Sequence, residues 1–275
     1  TAAALGLVWA LVRGNTAGWG SPEVIGTLAG GTAATAAFAA WERRAARPML
    51  PARLFRSAAF SAGNIAIFLI NASLSGVIFL MPQFQQVVDG QDPLGSGLRL
   101  LPWGIAPFLV GPRAGALADK VGERVLVVTG ALVQTAGIAW IAAVAGPGTS
   151  YLALVTPMTL VGVGLALSIP AVTRSVTSTV PPADIGTASA AFSTMRQLGG
   201  AFGVAVLGAA FAATGGYATP AAFTNGFTTA FAVSAGLALA GAAVGTALAG
   251  HRGRPSPAAP PAPGPVISAG RVSAR

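Results

Sequence analysis

Long apolar stretches recur along the chain, and polar or Gly/Pro-rich breaks separate them. A helix needs about 20 such residues to cross roughly 30 Å of hydrocarbon, and the stretches reach that length. Only 8% of the residues are charged, against about 25% in a soluble domain, and the mean hydropathy is +0.70. The sequence therefore predicts an all-α integral membrane protein that crosses the bilayer several times.

The breaks divide the chain into eight predicted spans, the first of them partial. Their boundaries are 1–12, 24–41, 58–81, 98–118, 125–145, 151–172, 187–213 and 227–249. Residues 1–56 hold the partial helix, one complete helix and a cytoplasmic linker, and residues 57–250 hold six helices. Residues 251–275 are Pro-rich and lack the apolar content of a packed core, so we expect a disordered tail.

Basic residues lie on alternate breaks. The break 43–56 holds five arginines, whereas the next break, 83–97, holds two aspartates and no basic residue. Cytoplasmic loops carry the excess of Lys and Arg in membrane proteins. With 43–56 in the cytoplasm, twelve of the sixteen basic residues lie inside, and only Arg13 and Arg99 lie outside. This predicts a cytoplasmic C-terminus.

The sequence lacks the residues that several other functional classes require. The chain has no cysteine and one histidine, His251, so it offers no disulfide, no thiolate metal site and no hydrolase constellation. The net charge of +9 lies mostly at span ends and in the tail, where it faces lipid head groups rather than nucleic acid. Neither an enzyme nor a cofactor is indicated. The excess of Arg over Lys, with abundant Ala and Gly, suggests a bacterial plasma-membrane protein.

One loop carries a recognisable motif. Residues 115–124 read GALADKVGER, which resembles the G-x-L-x-D-[RK]-x-G-x-R loop of the major facilitator superfamily. Three further segments resemble its fourteen-span drug:proton antiporter branch: ERRAARPMLPARLF before the third span, LRLLPW at the fourth and MRQLGGAFGVA in the seventh. The four segments occur in the order that this branch has.

The resemblance implies the C-terminal half of a secondary transporter, a multidrug or antibiotic exporter that works by alternating access with proton antiport. Residues 57–250 would form its C-terminal six-helix bundle, preceded by the two central extra helices. The implied partners are the lipid bilayer, a small amphipathic drug-like substrate, protons and the missing N-terminal half. A membrane remnant or accessory subunit that transports nothing is the alternative.

The motif loop is predicted to be a conformational gate. Its residues are Gly115, Asp119, Lys120, Gly122 and Arg124. Gly115 would allow a close helix contact, Asp119 would face the N-terminal dipole of the fifth span, and Gly122 would allow a tight turn. The alternative is an ordinary inner loop whose charges only orient the chain.

The third span presents one polar face. At offsets of 0, 3, 7, 10 and 14 it carries Ser61, Asn64, Phe68, Asn71 and Ser75. Amide groups are costly in hydrocarbon, so this face should turn away from lipid. Two interpretations stay open: polar contacts between packed helices, or the wall of a substrate cavity, which the resemblance favours.

Two later spans carry further candidates. Thr156 and Thr159 lie in the sixth span, which contains internal Pro and Gly and is either a second cavity wall or a kinked packing helix. In the seventh span Gly199 and Gly203 form a close-packing G-x-x-x-G, and Arg196 is expected to be structural, near the inner end.

The positions of the acidic residues show that the predicted spans lack an internal carboxylate. All seven lie in loops or at span edges, so no carboxylate is predicted at membrane depth. Proton coupling in membranes usually uses a buried Asp, Glu or His. We therefore expect the coupling carboxylate in the N-terminal half.

Overall fold

The computed structural model describes residues 20–44 and 53–248, together with Gly6, Trp9, Ala10, Arg13 and Gly18. The α-helices described within residues 20–248 are α1 (Pro22–Arg44), α2 (Ala58–Val87), α3 (Pro93–Arg99), α4 (Leu101–Val121), α5 (Glu123–Val144), α6 (Tyr151–Ser178), α7 (Ile185–Thr214) and α8 (Pro220–Gly245). Short 3₁₀ helices cover Leu54–Arg56 and Pro182–Asp184. The predicted tail and most of the partial first span lie outside the described residues.

Six helical segments in the described part are long and apolar enough to cross a membrane. They are Pro22–Glu42, Ala58–Val87, Glu123–Val144, Tyr151–Ser178, Pro182–Thr214 and Pro220–Gly245. The chain is thus an all-α membrane protein, as the sequence predicts. α4 falls short of this composition because Pro102, Pro107, Pro112 and Arg113 interrupt its apolar residues. It still packs along α6 as part of the bundle.

Local signals set several helix starts. The Ser57 side chain accepts the backbone N–H of Phe60 at the start of α2. Asp92 caps α3 by accepting the N–H of Gly95 at 2.9 Å, and Thr219 caps α8 by accepting the N–H of Ala222 at 3.1 Å. A proline follows each of these last two caps at the first helical position, where its missing N–H costs nothing.

Three helices extend by more than one turn beyond their predicted ends. α8 begins at Pro220 rather than 227, because Gly226, which resembles a loop glycine, packs inside the helix against the carbonyl of Phe211. α6 continues to Ser178. In its last turns the hydroxyls of Thr173 and Thr177 donate to backbone carbonyls one turn earlier. α2 continues through Pro82 to Val87.

The bundle is held by close helix pairs. α5 packs on α6, and α2 packs on both α7 and α8, while α8 also meets α5. Gly130 and Gly137 of α5 lie directly against the backbone of α6, so the two helices approach more closely than larger side chains would allow. Two apolar clusters fill the interior, one around Phe60 and the other around Phe84. α1 contributes little to this core, since 12% of its apolar stretch is buried against 56% for α2.

Candidate functional site

The polar face of α2 begins in the core. Ser61 donates its hydroxyl to the carbonyl of Phe55 at 2.8 Å. Asn64 is 2% exposed and donates Nδ2 to the carbonyl of Phe60 at 2.9 Å, whereas its Oδ1 finds no partner among the described residues. A buried amide oxygen without a partner is unfavourable, so this end of the face has spare hydrogen-bonding capacity.

The rest of this face lies along α7. Asn71 donates Nδ2 to the carbonyl of Arg196 at 2.7 Å, and Ser75 donates its hydroxyl to the carbonyl of Asn71 at 2.9 Å. The rings of Phe68 and Phe202 are 5.3 Å apart. Phe68, Asn71 and Ser75 are half-buried, so each has a helix contact and some open surface. Their assignment to a cavity wall stays a prediction.

Glycines allow α7 to lie this close. A Cβ on Gly199 would overlap the carbonyl of Phe68, and one on Gly203 would overlap the carbonyl of Ala72. Arg196, one turn before Gly199, contributes its backbone carbonyl to this contact and has an exposed side chain. The two helices therefore touch through backbone as well as through side chains.

The α6 candidates stand apart from this contact. Thr156 is exposed, and the hydroxyl of Thr159 donates to the carbonyl of Val155 in its own helix at 2.8 Å. Within the described part, no hydrogen bond joins either threonine to the polar face of α2. Their role in a cavity also stays a prediction.

A small apolar cavity lies inside the bundle. It has a volume of about 20 Å³ and is lined by residues of α2, α4, α5 and α6, including Met81, Trp103 and Met158. None of the predicted cavity residues lines it. Drug-sized ligands occupy pockets of about 300–1,000 Å³. This cavity is therefore too small for a substrate.

Arg174 joins the motif loop to α6. Its Nη2 donates to Asp119 Oδ1 at 2.8 Å, its Nη1 donates to the Gly115 carbonyl at 3.4 Å, and its Nε lies 3.8 Å from Glu123 Oε1. One guanidinium thus bridges the end of α4, the start of α5 and the last turns of α6. The side chains of Arg174 and Asp119 are 46% and 66% exposed, so the pair contributes little to stability, on the order of 0–1 kcal/mol.

The glycines of the motif have different roles from one another. Gly122 has φ 86° and ψ 153°, a backbone region that is essentially restricted to glycine, and it lets α5 begin one residue after α4 ends. The prediction of a close helix contact at Gly115 is wrong among the described residues. No neighbouring atom there lies within 4 Å of the position that a Cβ on Gly115 would occupy. Gly115 instead offers its carbonyl to Arg174. Lys120 and Arg124 are exposed.

A second ion pair lies at the same end of the bundle. Arg53 Nη2 donates to Asp184 Oδ1 at 2.9 Å and so joins the segment before α2 to the connection between α6 and α7. Asp184 is 7% exposed, and its Oδ2 has no partner among the described residues. Sequence reasoning used Arg53 and Arg174 only for topology and missed both pairs. The available signal was opposite charge at neighbouring span ends.

A buried polar group within the spans was also missed. Gln134 of α5 donates Nε2 to the Ile70 carbonyl and to Ser73 Oγ, both at 3.3 Å. Ser234 of α8 donates its hydroxyl to the Ser73 carbonyl at 2.8 Å. Hydrogen bonds of this kind hold membrane helices together. Gln134 is a single amide in an apolar span, which was the signal for it.

Comparison with known proteins identifies the family. The family model described as Major Facilitator Superfamily matches residues 1–204. The chain belongs to the major facilitator superfamily. Proteins of this superfamily that resemble the chain are named as export and resistance proteins, so they are transporters and not enzymes.

Three such relatives illustrate the range of named substrates. The cephamycin export protein CmcT of Amycolatopsis lactamdurans is 38% identical over 69% of this chain and 40% of its own length. The tetracenomycin C resistance and export protein of Streptomyces glaucescens is 33% identical over 78% of this chain and 40% of its own. The multidrug resistance protein Stp of Mycobacterium tuberculosis is 31% identical over 75% and 38%. The chain thus spans about 40% of the length of these major facilitator relatives.

Proposed function

We propose that this chain forms one of the two helix bundles of a bacterial drug or antibiotic exporter that is driven by proton antiport. The bundle consists of α2 and α4 to α8, and the second bundle corresponds to the N-terminal part of its longer relatives. Alternating access is a rocking of two such bundles around a site between them. The protein resides in the plasma membrane with its C-terminus in the cytoplasm.

The Arg174 contact is the observation that carries this proposal. A conformational gate is closed in one state and open in the other. Its contacts must therefore be specific, and breaking them must cost little free energy. Arg174 contacts Asp119 and Gly115 at one exposed point, and this pair contributes little to stability. Gly115 and Asp119 belong to the loop that resembles the superfamily motif.

The proposed substrate is a small amphipathic drug-like molecule. Relatives are named for cephamycin and for tetracenomycin C, two antibiotics, which supports this class. The cavity of about 20 Å³ within the bundle has no room for such a molecule. We therefore place the substrate site on the open face between two bundles, where Asn71, Ser75 and Thr156 are candidates.

The experiment uses inverted membrane vesicles, a fluorescent cationic drug and an imposed pH gradient. This chain would be expressed alone and joined behind the N-terminal bundle of the tetracenomycin C relative. We expect gradient-dependent accumulation only with the joined protein. In that protein Arg174→Gln should lower the initial rate roughly fivefold or more, the size of a typical conformational coupling.

The control is Arg56→Gln, which removes an exposed arginine from the same end of the bundle. Equal rates in Arg56→Gln and Arg174→Gln would rule out the gate. Accumulation by this chain alone would contradict the requirement for two bundles. A joined protein that accumulates nothing, although it folds and inserts, would favour the non-transporting alternative.

A further inference from the structure

The opposite end of the bundle contains a largely buried carboxylate, which follows a buried amide by four residues in the sequence. Asp89 follows the end of α2 by two residues, and its side chain is 11% exposed. Gln85, four residues earlier, is fully buried, and neither its Nε2 nor its Oε1 has a hydrogen-bond partner in the described part of the chain. Buried side-chain amides are normally hydrogen-bonded, so this end of α2 has unused hydrogen-bonding capacity.

Arg99 connects this carboxylate to two other helices. Its Nη1 lies 3.3 Å from Asp89 Oδ2, a long ion pair. The guanidinium lies over the ring of Tyr151 at 5.1 Å, and the Tyr151 hydroxyl donates to the Arg99 carbonyl at 3.1 Å. Ser96 adds a hydrogen bond from its hydroxyl to the Pro82 carbonyl at 3.1 Å. The short α3 is thereby fastened to the end of α2 and to the start of α6.

Burial acts on the charge of Asp89. It raises the pKa of this carboxyl above its ordinary value of 3.8, and the attraction of Arg99 offsets only part of the rise. At this end of the packed elements the other ionisable groups are Asp92, which caps α3, and Tyr151, whose hydroxyl donates to the Arg99 carbonyl. The folded chain binds this proton more tightly than the unfolded chain does. The proton on Asp89 therefore makes its full contribution to the stability of the fold below pH 3.8. It is lost as pH rises through the raised pKa.

We propose that Asp89 is a proton-binding site open to the outer solution, and that its protonation releases Arg99 and loosens α3 from α2. The proton comes from hydronium in the solution, whose O–H bond breaks to leave water as the O–H bond of the carboxylic acid forms. Neutral Asp89 no longer attracts the guanidinium as an anion does. Arg99 remains over Tyr151, where the ring face stabilises the cation.

This site deepens the proposed function and rests on it for the direction of the proton. An antiporter that exports drug must take a proton from the outer side. The orientation that the basic residues predict puts the connection of 88–92 on that side. Asp89 is the less exposed of its two carboxylates, since Asp92 is exposed. The N-terminal bundle is then not the sole location for proton chemistry.

The direct test is a pH titration of the purified chain in lipid nanodiscs by infrared difference spectroscopy. A protonated carboxyl gives a C=O stretch that is separate from the carboxylate bands. All seven acidic side chains give this band when they are protonated, so the titration of Asp89→Asn is subtracted from that of the parent chain. We expect the difference to contain one carboxyl with a midpoint above 3.8, and Asp92→Asn to retain that component. A difference without such a carboxyl, or one whose midpoint lies at or below the ordinary value, would overturn the assignment.

A second measurement follows the release of α3. The chain has no cysteine, so Ser96→Cys gives a single thiol at a position that is 1% exposed. Its labelling rate is divided by that of Leu94→Cys, which is 70% exposed, to remove the pH dependence of the thiol itself. We expect the ratio to rise several-fold on acidification and to be high at every pH when Asp89→Asn is added. A ratio independent of pH in the parent background would refute the release. Neither measurement requires transport, so a failure here is distinct from a failure of the exporter proposal.

Discussion

At the scale of single residues, the contact between α2 and α7 depends on an absent side chain. Gly203 lies against the backbone of Ala72, so a methyl group there must push the helices apart. We predict that Gly203→Ala destabilises the bundle by about 1–3 kcal/mol, as overpacking does elsewhere. Thermal unfolding of the purified chain, followed by tryptophan fluorescence, measures this.

Gly208 provides the matched control. It lies in the same helix, and no described atom is within 4 Å of the position of its Cβ. Gly208→Ala should leave the unfolding temperature unchanged or raise it slightly, because alanine favours the helix. Equal effects of the two substitutions would mean that α2 and α7 are not in close contact.

Asn71 distinguishes the two interpretations of the polar face. If this residue lines a cavity, Asn71→Leu should reduce drug export by the joined protein more than Ile67→Leu does. Ile67 is a fully buried neighbour on the same helix, and its change keeps the volume. Loss of the hydrogen bond to the Arg196 carbonyl alone should cost stability by about 0.5–1.5 kcal/mol.

Export and unfolding temperature are therefore measured together for both variants. If Asn71→Leu lowers export while its loss of stability stays within that range, the result supports the interpretation of this face as a cavity wall. Equal export by the two variants, with a lower unfolding temperature for Asn71→Leu, supports helix packing instead.

At the scale of elements, a single residue connects α4 to α5. Gly122 ends one helix and begins the next with a backbone geometry that other residues rarely adopt. We predict that Gly122→Ala destabilises the chain by about 1–3 kcal/mol and disturbs the Arg174 contact. Gly111→Ala, in open space within α4, is the control and should be neutral or stabilising.

The readout for this pair is the unfolding temperature, together with labelling of a cysteine at Lys120. Faster labelling in Gly122→Ala than in the parent would indicate a loosened loop. If Gly122→Ala and Gly111→Ala behave alike, the turn does not require glycine.

The helices themselves were predictable because hydropathy identifies long apolar segments, and their ends were less so. Gly226 looked like part of a loop, but it is a packing residue within α8. The fourth span was predicted as one segment from 98 to 118, whereas the chain turns at Leu100 between α3 and α4. Such details depend on neighbours in the fold, which periodicity does not include.

The site was predictable only in part for the same reason. The motif pointed to Asp119 and Gly122, but not to Arg174, which lies 55 residues beyond Asp119 and meets it only after α4 and α6 have packed. Gln134 is a single amide in its span and Gln85 is one of three glutamines at the end of α2, and the role of each depends on what surrounds it. Sequence patterns identify which residues are unusual for a membrane, and the fold decides which of them meet.

At the scale of the whole molecule, the two proposals use opposite ends of one bundle. The gate at Arg174 requires the cytoplasmic side, and the proton site at Asp89 requires the outer side. Both depend on the orientation that the basic residues predict, with twelve inside and two outside. The orientation is therefore the central claim.

Labelling of single cysteines in intact cells tests this orientation most directly. Gln91 lies on the connection between α2 and α3, and Lys120 lies in the last turn of α4 at the opposite end of the bundle. The parent chain has no cysteine to react in the background. We predict that a membrane-impermeant maleimide labels Gln91→Cys from outside, and labels Lys120→Cys only after the cells are opened. Labelling of Lys120→Cys in intact cells, with Gln91→Cys protected, would contradict both the gate and the proton site.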